Sequence, residues 1–169
     1  MKKSSPFFTE EKRYLGSIVL GMNDALVELT GALAGLTLAL QNTKIIALVG
    51  LITGIAASLS MASSEYFSRK TERSKRKPLL AAFYTGSVYF LTVLILISPF
   101  FLFSNALLSL SFTVLNALLI IAAFTYYISY IQNISFKKRF FEMALVSLSI
   151  ALLSFVIGYL LRIWIGVEI

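Results

Sequence analysis

The sequence predicts an all-α integral membrane protein of five transmembrane helices, with its N-terminus in the cytosol and its C-terminus outside. Three observations carry this. Apolar residues make up 58% of the 169 and charged residues only 14%, where soluble domains carry roughly 25% charged; mean hydropathy is +0.85. Five apolar runs each approach or exceed the length of about 20 residues that spans a bilayer. The basic residues gather on alternate loops, as the positive-inside rule requires.

Residues 1–15 form a polar, charged cytosolic lead, MKKSSPFFTEEKRYL, able to lie at the interface as a short helix. Residues 16–169 form one five-helix domain, with spans at about 16–40, 44–68, 79–98, 106–131 and 143–165. The apolar run after the lead is too long for a signal peptide and contains two acids. Gln41-Asn42-Thr43 makes a tight external turn. RKTERSKRKP, residues 69–78, holds six basic residues and one acid. Pro99 closes the third span, and the aromatic turn FFLFSN follows. Tyr126, Tyr127 and Tyr130 end the fourth span at an interface, and Lys137-Lys138-Arg139 precede the fifth. Spans three to five hold no acid and read as scaffold; Arg162, at the far end of the last, reaches outward to water.

The chain has no Cys and no His. That excludes disulfides, thiolate or imidazole metal sites, haem ligation and any Cys–His or Ser–His catalytic pair. Enzymatic activity and a bound cofactor are therefore not expected. The net charge of +7 follows from the cytosolic loops and does not point to nucleic acid.

The first span, GSIVLGMNDALVELTGALAGLTLAL, carries Asp24 and Glu28. A bare carboxylate at that depth costs at least ~2–3 kcal/mol on insertion scales. The acids are four residues apart, on one helix face, and Gly31 and Gly35 continue that face as a GxxxG patch that admits another helix closely. The second span repeats the device with Gly54, Ser58, Met61 and Glu65. Counting ~1.5 Å per residue from the cytosolic ends sets Asp24 about 12 Å deep and Met61 about 10 Å, with Glu28 near mid-membrane and Glu65 near the mouth. Asp24, Glu28, Met61 and Glu65 thus form a ladder of oxygens with one sulfur, and Asn23 is either a further ligand or an interhelical hydrogen-bonding group.

No intramembrane base pairs with Asp24 or Glu28, so they need a cation, protons or water. Glu65 has a second reading, as a surface pair with Arg69 one turn on. Met61 alone would be core filler; it gains weight by sharing a face and a depth with acids. Carboxylates with a thioether suit a first-row transition ion such as Fe2+ or Mn2+ better than Mg2+ or Ca2+.

The stretches GMNDALVELTGALAGL (21–36) and AASLSMASSEYFSRKTE (56–72) resemble the vacuolar iron transporter family. The resemblance implies Fe2+ moved out of the cytosol in exchange for protons by a homodimer whose first helices line the path. It assigns the family's first-helix Asp to Asp24 and its Met-x-x-x-Glu pattern to Met61 and Glu65. Eukaryotic members insert a Glu-rich cytosolic domain between spans two and three; here that interval is short and basic, which implies a minimal version of prokaryotic type in the cell membrane. One copy offers few ligands for an ion that takes about six in octahedral sites. The Gly31–Gly35 patch is therefore expected to bring the first helices of two copies together. The rival readings are a proton-coupled organic-cation carrier, in which Met61 would be idle, and a non-transporting scaffold or enzyme subunit.

Overall fold

The computed structural model describes residues 6–72 and 77–165. Residues 1–5 of the expected lead, 73–76 of the basic loop and 166–169 lie outside the described residues. Five helices follow one another: α1 (Pro6–Leu40), α2 (Thr43–Thr71), α3 (Pro78–Leu102), α4 (Ala106–Gln132) and α5 (Phe136–Ile165). No strand occurs among the described residues. All five are long and apolar enough to cross a membrane, and their outer faces expose large apolar side chains, Leu48, Ile52, Leu59, Leu119 and Leu152 among them. Lipid is the solvent such faces require.

Local chemistry sets the helix ends. The Asn42 side chain accepts from the backbone amides of Lys44 (3.1 Å) and Ile45 (3.2 Å), capping α2, and Gln41 takes a positive φ of 52° to reverse the chain in two residues. Asn105 caps α4 through the Leu108 amide. Asn133 ends that helix in the left-handed region, where Asn is tolerated.

Three elements differ from the sequence reading. α1 runs back to Pro6, so part of the expected lead is helical, and Tyr14 is buried, stacked on Tyr84 and accepting from the Lys77 amide. α5 begins at Phe136 instead of near 143, which puts Glu142 on a helix that reads as acid-free. Pro99 does not close α3, which continues to Leu102. Proline removes the amide that would bond the carbonyl of Ile95. The Ser98 hydroxyl (2.8 Å) and the Asn116 amide from α4 (3.1 Å) donate to that carbonyl instead, so the helix survives.

α1 is the hub, packed on each of the other four helices, most extensively on α5 and α3, while α2 lies chiefly on α3. Ala25, Leu26, Leu29 and Leu33 of α1 meet Ile46, Ala47, Tyr89, Val93, Leu96 and Ile97 in the core. Hydroxyls tie the helices together: Thr85 donates to the Ser17 carbonyl (3.0 Å), Thr113 to that of Leu96 (2.8 Å) and Ser147 to that of Leu26 (3.3 Å). Such bonds help hold helices together where lipid supplies no hydrophobic drive.

The glycines do not serve the contact expected of them. Gly31 lies against Ser154 and Ile150, and Gly35 against the Ser154 carbonyl, all on α5 of the same chain. The patch admits a helix closely, but that helix is internal. Gly50 packs on Leu33 and Ile97, and Gly54 on Val93. Arg162 likewise turns inward, its guanidinium 3.5 Å from the Leu38 carbonyl at the C-terminal end of α1, where the helix dipole favours a cation.

Candidate ion path

Asp24 and Glu28 stand one turn apart on α1, and the structure treats them differently. Asp24 is half-buried; Glu28 is exposed. Glu28 opens into a cavity of about 470 Å³ between α1, α2 and α5, walled by Gly31, Gly35, Thr53, Gly54, Tyr89 and Ser154 with apolar side chains between them. The small residues that let α1 and α5 approach also hollow out this groove.

Tyr89 of α3 is the site residue that sequence reasoning missed. Its ring is 1% exposed, and its hydroxyl donates to Glu28 Oε2 at 2.7 Å. It also lies within electrostatic reach of Asp24. A Tyr in an acid-free span looks like interface or core, and only the packing of α3 on α1 reveals its partner. The third span therefore supplies a hydrogen-bond partner to Glu28.

Glu65 is 3% exposed, and two side chains meet its Oε1. Ser17 of α1 donates to its Oε1 at 2.6 Å, and Arg69 Nε lies 2.8 Å from the same oxygen. Arg69 also reaches Glu72 at 3.1 Å. The Arg69 pairing that the spacing allowed is made, and Ser17 adds a tie to the first helix.

The Ser17–Glu65 and Leu33–Gly50 contacts fix the antiparallel register of α1 and α2 at two heights. Interpolating between them sets Met61 level with about Gly21, roughly one turn to the Glu65 side of Asp24. The depth count from the span ends sets the two level. Side chains tilt toward their own helix's N-terminus, so in this antiparallel pair Asp24 and Met61 lean toward one another and narrow the gap. Met61 is half-buried and touches the core.

Asn23 does not join this set. It lines a separate niche between α1 and α5 with Arg139, Glu142 and Met143. Among the described residues, no three Asp, Glu, Cys or His side chains gather as an ion-binding group within one chain.

Five apolar helices with carboxylates set inside the span define a multi-pass integral membrane protein. The VIT family model matches residues 15–77, the whole of α2 and α1 from Leu15 onward, so this part of the chain is similar to that family. No curated protein matches the chain.

Proposed function

We propose that the protein is a proton-coupled exporter of a divalent transition metal, Fe2+ or Mn2+, working from the cytosolic side as a homodimer. The observation that carries this is Glu28: a carboxylate one turn from Asp24, open to an apolar groove inside a membrane helix bundle, with a neutral hydroxyl as its partner. A carboxylate so placed is a functional group by default. Asp24 and Met61 act as the central ligands, and Glu28 as a ligand or proton carrier. Protons and metal compete for the same carboxylates, which couples their opposite movements without a separate relay.

Glu65 serves as the cytosolic entry ligand when Arg69 releases it; held by Arg69 and Ser17, it closes the mouth. Asn23, turned toward α5, is better placed to hydrogen-bond between helices than to bind the ion. A second copy supplies the remaining ligands. With Gly31 and Gly35 already covered by α5, the dimer contact falls on the groove face that carries Glu28 and the exposed Ala32. The basic residues of the lead, of the α2–α3 loop and of the first turn of α5 support an N-terminus in the cytosol and a C-terminus outside.

The test is flux into liposomes holding purified protein, with Fe2+, Mn2+, Co2+, Zn2+, Ca2+ and a tetraalkylammonium ion assayed side by side, with and without a pH gradient. The proposal expects Fe2+ or Mn2+ to lead and the gradient to drive them. Flux of the organic cation alone would favour the rival carrier, and no flux at all would contradict transport.

A further inference from the structure

Glu28 does not choose its own position. A glutamate facing a groove has three free torsions, whereas Tyr89 is locked, its ring buried in the core among residues of α1, α2 and α3. The 2.7 Å hydrogen bond therefore ties one carboxylate oxygen of this cavity-lining side chain to a buried residue and leaves the other without that tie.

This matters for what the carboxylate can hold. Ca2+ accepts six to eight oxygens and often takes both oxygens of one carboxylate, whereas smaller divalent ions demand near-octahedral geometry that single oxygens fill better. We infer that Tyr89 is a specificity-determining positioning residue, whose hydroxyl withholds one Glu28 oxygen so that the groove binds small octahedral ions in preference to Ca2+. The inference rests on the transport reading above and assigns to α3 a part in selectivity.

Nothing else among the described residues of the cavity duplicates this restraint. The neighbouring polar side chains, Thr53 and Ser154, are small, and Thr53 donates to the backbone of its own helix. Tyr89→Phe keeps the ring and its packing and removes the hydroxyl alone. Glu28 is then free to offer both oxygens.

The experiment measures Mn2+ and Ca2+ flux, separately and in competition, for full-length wild type, Tyr89→Phe and the double variant Tyr89→Phe/Glu28→Gln in liposomes. Tyr89→Phe should raise Ca2+ relative to Mn2+ by roughly tenfold, equivalent to about 1.4 kcal/mol of discrimination. The double variant should lose that gain, since an amide cannot chelate as a carboxylate does. Infrared spectra of wild type on adding Mn2+ supply a reading that needs no variant to fold: the carboxylate bands should shift in the one-oxygen sense. Equal changes for both ions in Tyr89→Phe, an unchanged ratio, or a two-oxygen infrared signature would overturn the inference while leaving transport standing. A wild type that moves neither Mn2+ nor Fe2+ would overturn the transport reading and this inference with it.

Discussion

Gly158 on α5 lies against the backbone carbonyl of Gly35 on α1, so closely that a methyl group at 158 would collide with main chain on the neighbouring helix. Backbone cannot yield as a flexible side chain does, so this contact sets how near the two helices come. It also decides what the Gly31–Gly35 face is for. Gly158→Ala should push α5 away from α1 and cost about 1–3 kcal/mol, the usual range for overpacking. Thermal unfolding of the purified protein in detergent checks this, and an unchanged midpoint would mean that α5 sits less tightly than the structure has it.

In the proposed dimer, the contact between copies then belongs to the neighbouring face, which carries Glu28 and Ala32. The chain has no native cysteine, so single introduced cysteines report cleanly. Ala32→Cys, one turn beyond Glu28 and exposed, should crosslink between copies in membranes. Cysteine at Leu33, which is fully buried, should not. Crosslinking confined to the buried position would place the interface elsewhere.

Glu65 and Asp24 should separate by phenotype. Arg69→Gln removes the cation from a buried carboxylate and leaves Ser17 as its remaining hydrogen-bond partner, a loss of about 1–3 kcal/mol that a thermal scan reads directly. Asp24→Asn should leave the unfolding midpoint near that of wild type. Equal destabilisation by both would make Asp24 a structural acid as well.

Met61→Leu preserves volume, and such swaps usually cost under ~1.5 kcal/mol. The account expects near-normal stability and a fall in Fe2+ flux larger than that in Mn2+ or Ca2+ flux. A uniform fall, or none, would return Met61 to core filler.

The helical architecture was legible because each span is a run of apolar residues that has few alternatives in lipid. Asp24 and Glu28, the two acids in the apolar part of α1, were legible for the same reason, since a charge stands out against hydrocarbon. What the sequence hid depends on which helix faces which. The spacing of Gly31 and Gly35 announces a close contact but not its partner, and α5 is far away in sequence. Tyr89 gave no signal, because an aromatic residue in an apolar span has many uses. Pro99 carries a strong stop signal, yet Ser98 donates to the freed carbonyl locally and Asn116 does so from a position no local rule connects. The Met61–Asp24 offset differs slightly from the sequence count because both depths were counted from span ends set by composition, whereas the Ser17–Glu65 contact ties the two helices directly.

The central claim is that a carboxylate inside the first helix carries metal and protons by turns. Its most direct test is Asp24→Asn in proteoliposomes, with Mn2+ uptake and internal pH recorded together. Asparagine keeps the shape and hydrogen-bonding capacity and removes the charge and the titration. The account predicts that wild type moves Mn2+ one way and protons the other, and that the variant, folded and assembled, moves neither. Coupled flux at the wild-type rate with Asn at position 24 would contradict it.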